Sequence, residues 1–446
     1  IRIAREEDLP IYVVYTMRSD YIGQCVAFRG FAEMIGHSTY FVPRLKREEI
    51  QEVIEAPAFL NGDHVTKRLS QRILNDLGDG IDQLPVLQHA MHQVWTEARN
   101  NKSQELDLIH YAKVGGLAPK RLPKEDREPF QEWFNTLPKD IKELYETPRL
   151  RNILNRHANE LYLRANEYYQ KQTGNKIERE DTDAILRTVF TCLTKIDESR
   201  AVRNRMTLRE ISDILNREGF TSEDVAILLT TYREPGNTFV QPYIEEDDES
   251  TRDISENTIL DITHEALIRN WDRLIEWAER EAKSVRVYED FKIQVNRWLN
   301  NDCDSSYLLT SGPFNYFWGW YQEQKPTPAW IERYIEPEEI NPEMEPREQA
   351  EAYLEDIDEF LELSRRRIER NRRIIMFVIF LISLLFIMSL ILAYLANLER
   401  EKALRAMERA EESARKAEEQ RLIAQQKALE AQNQRYRAER EKNNAE

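Results

Sequence analysis

Ile374–Ala396 reads IIMFVIFLISLLFIMSLILAYLA, 23 consecutive residues without a charge, a Gly or a Pro. A helix of that length extends roughly 34 Å at about 1.5 Å per residue, enough for the hydrocarbon core of a bilayer. The run is apolar all round, whereas a core helix of a soluble protein usually keeps a polar stripe. It lies far from the N-terminus, so it is not a signal peptide. One membrane crossing is therefore expected. Arg365, Arg366, Arg367, Arg370, Arg372 and Arg373 crowd its N-terminal flank. Beyond it, Arg400, Lys402 and Arg405 mix with Glu399 and Glu401. The positive-inside bias then places everything before Ile374 in the cytoplasm, on an inner or plasma membrane, and the tail across it.

Downstream, Ala403, Ala410, Ala417, Ala424, Ala431, Ala438 and Ala445 recur at every seventh position. Their companions, among them Ser413, Gln420 and Lys427, are mostly polar. Residues 397–446 thus read either as a weakly specified coiled coil, with self-association, or as a lone charged spacer helix. Upstream, the Pro- and Glu-rich stretch Pro326–Pro346 reads as a linker leading into a juxtamembrane helix.

The rest must be the folded part. The chain has 446 residues, 41% hydrophobic, which allows two or three domains and excludes wholesale disorder. Its net charge of −17 disfavours a global fit to nucleic acid. The three cysteines, Cys25, Cys192 and Cys303, are too far apart for a disulfide framework or a CxxC knuckle. The first residue is Ile and the chain reads as starting inside a fold, so it is expected to be part of a longer protein.

Residues 11–17, IYVVYTM, are a continuous apolar run that suits a buried parallel strand, ending at Arg18-Ser19-Asp20. Helical periodicity then dominates: Arg47–Ala56, His64–Leu77, Leu84–Arg99 opened by Pro85, Arg149–Gln172 and Arg179–Ile196. Tyr111–Leu117 reads as a Gly-broken turn, and residues 118–148, rich in Lys, Glu and Pro, look inserted. Two helices within Thr207–Thr231, strands near Thr238–Ile244 and Thr258–Thr263, and the loop Glu245–Glu256 between them outline a winged helix. That loop carries Glu245, Glu246, Asp247, Asp248 and Glu249, which would repel phosphate, so packing against protein is favoured over DNA. His264–Glu281 reads as one continuing helix. The aromatic run Phe314–Tyr321, FNYFWGWY, lacks interleaved basic residues, so it reads as packing rather than a nucleic-acid platform.

No complete active site is visible. GxxxxGK[ST], GxSxG and HExxH are all absent. His89 and His92 stand at i, i+3 without a third ligand nearby, which favours a structural role over zinc. His264 beside Glu265 has no nucleophile to serve.

Several segments in order nevertheless carry a resemblance: YTMRSDYIGQC, RLKREEIQEVIEAPA (44–58), QLPVLQHAMHQVW (83–95), YAKVGGL, ILNRHANELY (153–162) and ITHEALIRNWDRLIEWAE (262–279). From about Ile11 to Leu309 the chain resembles the novel STAND NTPases of bacteria, signal-transduction ATPases related to the AAA+ class. The resemblance implies a mainly α chain: a remnant of an α/β nucleotide-binding domain (1–42), a helical lid (43–117), the insertion (118–148), a helical segment (149–206), a winged helix (207–282), a helical and aromatic subdomain (283–325), the linker (326–373), the membrane helix (374–396) and the tail. It implies that ATP or ADP, with Mg in the intact protein, lies between the nucleotide-binding, helical and winged-helix domains. Position by position, Arg18 matches the polar residue facing the terminal phosphate, Pro85 the proline on the adenine side, and His264 the histidine that holds the β-phosphate in the resting state. Arg203 and Arg205 match a basic pair of unassigned role. Both Walker motifs are missing, so these residues alone are not expected to hydrolyse ATP or to hold nucleotide. Partners implied are the bilayer, the NTPase half and other proteins, with no nucleic acid. The alternative is a non-catalytic, membrane-tethered scaffold, and a membrane-bound winged-helix transcription factor is disfavoured by the acidic loop.

Overall fold

The computed structural model describes residues 14–17, 22, 25, 27–78, 83–197, 200–215 and 219–443. The chain is mainly helical and divides into two units, 1–283 and 284–446, the division falling within one helix.

In the first unit, α1 is Phe31–Ser38 and α2 is Arg47–Leu60. The next expected helix, His64–Leu77, is instead a two-residue strand β1 (His64–Val65) and α3 (Lys67–Asp76). Thr66 makes the difference: it is extended, and its hydroxyl accepts from the Leu69 N–H, so the helix cannot begin earlier. α4 (Gln83–Asn100) carries Pro85 in its first turn, where no intrahelical N–H bond is lost. β2 (Glu105–Leu106) pairs parallel with β1. α5 (Leu108–Lys113) takes in Tyr111, so the Gly-broken turn begins only at Val114. α6 (Lys124–Thr136) and α7 (Lys139–Glu143) follow in the stretch that reads as inserted, yet Leu122 and Phe130 are buried in one core with Ile54, Leu69, Leu87 and Tyr111.

Two polar anchors hold these helices. Asp107 accepts from Thr66 Oγ1 at 2.7 Å and is ion-paired with Arg68. Buried Asp63 accepts from Trp95 Nε1 and pairs with Arg99, both at 2.7 Å. Gly115 sits at φ 83°, and the Gly116 backbone passes so close to the fully buried Tyr111 ring that a Cβ would stand 2.0 Å from a ring carbon. The ring cannot retreat, because its hydroxyl donates to Asp76 at 3.0 Å. Gly116→Ala should therefore destabilise the unit by about 1–3 kcal/mol, the usual cost of overpacking, read as a lowered urea midpoint.

The second core of this unit is built by α8 (Asn152–Thr173), α9 (Arg179–Cys192), α10 (Leu208–Leu215), α11 (Ser222–Arg233) and α12 (Glu265–Asn270). The expected helix end at Ile196 is overturned: α9 stops at Cys192, and β3 (Thr194–Asp197) turns back on β4 (Arg200–Arg203). β5 (Met206–Thr207), β6 (Val240–Gln241) and β7 (Ile259–Ile262) form an antiparallel sheet with β7 in the middle. Arg233 closes α11. It is fully buried, and its guanidinium donates to the carbonyls of Pro242 (2.7 Å), Thr251 (2.7 Å) and Arg252 (2.8 Å), pinning the loop between β6 and β7.

The expected single helix His264–Glu281 is also overturned. α12 ends at Asn270, and α13 (Asp272–Leu299) starts anew after an extended Trp271. Trp271 is fully buried against Phe190 and Trp277, and its indole N–H donates to Asn159 at 3.2 Å. The Asp272 N–H is capped by Asn155 Oδ1 at 3.1 Å. Burying that ring and capping the new helix compensate for the break.

The expected strand over 11–17 finds no support. Residues 14–17 belong to no strand, and no described strand lies alongside to complete a ladder; 11–13 and Arg18 lie outside the described residues.

In the second unit, α14 (Ser311–Gln324) and α15 (Pro328–Glu332) pack on α16 (Pro346–Asn443). Phe314, Phe317 and Trp320 are buried, and Trp320 packs with Phe291 and Trp330, so the aromatic run is core. Because α15 carries buried Trp330 and Ile331, the stretch expected to be a plain linker is partly core as well. α16 is one unbroken helix of 98 residues. It contains the apolar run 374–396, exposed throughout, and is the one described helix long and apolar enough to cross a membrane.

Candidate functional site

Of the three sequence-derived site residues, the described structure holds two. Pro85 is half-buried in the first turn of α4, and His264 stands exposed at the corner between β7 and α12. The fold links these two places through residues that the sequence did not single out as a set.

His89 lies one turn beyond Pro85, on the same face of α4. Its ring stacks on His157 of α8 at 5.2 Å between centroids, and its Nε2 is 3.2 Å from His157 Nδ1. His157 is buried, and its Nε2 is 3.1 Å from Asn237 Oδ1. Asn237 in turn donates from Nδ2 to the Thr231 carbonyl at 2.7 Å, which fixes its oxygen toward the imidazole. That oxygen only accepts, so His157 carries its proton on Nε2 and accepts at Nδ1 from His89 Nε2–H. The result is a directed chain, His89 to His157 to Asn237 to Thr231, with both imidazoles neutral.

Burial is the largest cause of their low proton affinity. It pushes His89 down to about 3, helped by the charges of His92, Arg156 and His264. His157 is lowered well below its ordinary value by burial, then by His89 and Arg156. Arg156 is itself buried, and its guanidinium is engaged by the Val114 carbonyl at 2.9 Å and Glu160 at 2.6 Å.

Phe239 continues the connection. Its ring lies 5.2 Å from both imidazoles, and its carbonyl accepts from the Thr263 N–H at 2.9 Å. Thr263 precedes His264. Arg203 donates to the carbonyls of Ile262 (3.0 Å) and Thr263 (3.1 Å), while Arg205 pairs with buried Asp261 at 2.9 Å. The basic pair thus holds the corner that presents His264. The His264 imidazole makes no cap bond to α12, and burial and then Arg203 lower its proton affinity, so it is neutral at pH 7. An exposed neutral imidazole can donate one hydrogen bond to a ligand, and an adjacent anion would raise its proton affinity.

The sequence signal for the pair was faint. His89 and His157 lie 68 residues apart, and only their fixed places within QLPVLQHAMHQVW and ILNRHANELY hinted at a shared role. Among the described residues no group of His, Cys, Asp or Glu could hold a metal ion.

A family model described as Novel STAND NTPase 1 matches residues 2–120 and 140–306. The gap between these stretches falls in the region that reads as inserted. No curated protein and no solved structure matches the chain.

Proposed function

This chain belongs to the novel STAND NTPase family, and on that premise we propose that it is the lid, winged-helix and anchor portion of a membrane-tethered, nucleotide-switched signalling ATPase. The observation that carries the reading is the continuous path from Pro85 to His264. It runs through the His89–His157 stack, Phe239 and the Thr263 corner. A nucleotide touching both ends would bias a packed element with few alternative arrangements, which is what a switch requires.

In this reading α10, α11 and the β5–β7–β6 sheet are the winged helix, and residues 43–117 are the lid. Pro85 would pack on the base, His264 would donate to the β-phosphate, and Arg18, by resemblance, would face the terminal phosphate. The fit is chemically sound for His264, which is exposed, neutral and without a cap bond. Phosphoryl transfer itself needs a phosphate loop and a metal-binding carboxylate, and GxxxxGK[ST] does not occur in this sequence. Those parts would come from a partner NTPase portion. The acidic loop, with Glu245 to Glu249 exposed, supports protein packing over DNA contact. The apolar segment of α16 supports a single crossing, with the arginine-rich side cytoplasmic.

Full-length protein is expected to copurify with ADP, and His264→Ala to weaken ADP retention about tenfold, the effect of one hydrogen bond to a charged group. Chromatography of the nucleotide released on denaturation measures it. Unchanged retention would remove His264 from the switch, and nucleotide-free wild-type protein would favour the scaffold reading.

A further inference from the structure

The segment Arg365–Arg373 carries six arginines against one glutamate, Glu369, a local net charge of +5 on a chain whose total is −17. It ends directly at Ile374, where the apolar run begins. Orientation of the span is the one role given to this charge so far.

Its setting on α16 is specific. Ile357, Phe360, Leu361 and Ser364 are buried and form the inner face of the helix. At about 100° per residue, Arg365, Arg366, Arg370 and Arg373 then spread over the outward faces. Ion pairing within the helix neutralises little of this. Arg365 and Arg373 share Glu369, and Arg366 pairs with Glu362, all exposed i, i+4 contacts of small energy. Among the described residues Arg370 and Arg372 have no ion pair.

Arg367 is used differently. Its Nη1 donates to the carbonyls of Ser305 (2.5 Å), Leu308 (3.0 Å) and Ser306 (3.4 Å). One turn earlier, buried Ser364 Oγ accepts from the Leu309 N–H at 3.1 Å. The loop 301–308 is thus clamped to α16 seven residues before Ile374, roughly 10 Å along the axis. The headgroup layer beside the hydrocarbon core is about 5–7 Å thick, and arginine side chains reach several ångströms toward it. On the single-crossing reading the clamp therefore brings folded backbone, not only a linker, to within a few ångströms of the headgroup layer.

We propose that the arginine collar of α16, with the 301–308 loop clamped beside it, is a binding surface for anionic lipid headgroups that seats the second unit directly on the cytoplasmic leaflet. The proposal rests on the single-crossing reading above. Guanidinium groups suit phosphate esters because their fixed donors match phosphate oxygens in pairs. A cation cluster immediately beside a membrane span meets headgroups before any soluble partner can reach it.

The test uses Cys303, the exposed cysteine; Cys25 and Cys192 are buried. Full chain carrying a donor fluorophore on Cys303 is reconstituted into phosphatidylcholine vesicles containing 20% phosphatidylglycerol, with the acceptor dye on one lipid or the other. Each arginine near an anionic surface favours an anionic neighbour about fivefold, so transfer to labelled phosphatidylglycerol should exceed transfer to labelled phosphatidylcholine severalfold. About 1 M salt should abolish the difference, since screening then acts within about 3 Å. The triple variant R370Q/R372Q/R373Q should cut it severalfold, while still floating with vesicles after an alkaline wash. Equal transfer to both lipids in the wild type, or undiminished preference in the variant, overturns the proposal. So does loss of the preference on adding inorganic phosphate at matched ionic strength, which would indicate a free-anion site. Failure of the wild type to float with neutral vesicles overturns the single-crossing reading itself.

Discussion

Stability of the chain should fall steeply as pH drops below about 6.5, and substituting two histidines should flatten that fall. His89 and His157 are neutral when folded, with His89 held at about 3 and His157 well below its ordinary value. In the unfolded chain each titrates near 6.5. The unfolded state therefore binds more protons throughout this interval. The stabilisation is fully present above about pH 6.5 and is lost progressively as pH falls toward the folded values. Each histidine contributes a slope of up to ~1.4 kcal/mol per pH unit, so the pair contributes up to ~2.7. The Arg156 charge facing the stack acts in the same direction, and so do His92 and His264 as they gain protons. Urea midpoints of the full chain in detergent, taken from pH 7.5 to 4.5, measure the slope. In His89→Gln/His157→Gln, amides can keep the hydrogen-bond chain without titrating, and the curve should flatten. An unchanged slope in that variant would place the acid sensitivity elsewhere.

Arg233→Met should cost about 3 kcal/mol and loosen the loop between β6 and β7. Methionine preserves most of the buried volume, so the loss reports the three guanidinium–carbonyl bonds rather than a cavity. Hydrogen bonds to a charged group are worth about 1.5–3 kcal/mol each, but Pro242 and Arg252 are near solvent and their carbonyls can rehydrate. Arg233→Lys should recover little, because an ammonium cannot reach three diverging carbonyls at once. Amide hydrogen exchange should rise in residues 243–253 in both variants. Protection equal to wild type in Arg233→Met would show that the loop is held by other means.

Helices were readable where caps and apolar spacing agreed. α4 with Pro85 in its first turn, and α11 with the Thr221 capping box, lie almost where periodicity puts them. The failures have physical causes. The break at Trp271 was hidden because the spacing of Leu267, Trp271, Leu274 and Trp277 fits one helical stripe. What interrupts it is tertiary, the Asn155 and Asn159 side chains of α8. β5 is two residues long, too short for a period of two to register. The apolar run at 11–17 looks like a strand by composition, and only its last four residues, which belong to no strand, are among the described residues. Of the candidate site, Pro85 and His264 come from resemblance alone, while the histidine stack between them depends on a pairing across 68 residues that no local pattern encodes.

From Arg347 to Asn443, α16 contains neither Gly nor Pro, and its backbone is continuously helical. At about 1.5 Å per residue its 98 residues extend roughly 147 Å. Such a rod has no built-in joint where twist could dissipate. The buried positions Ile357 and Phe360 and the alanine series from Ala403 onward therefore lie on one uninterrupted backbone, with a fixed angular offset between them.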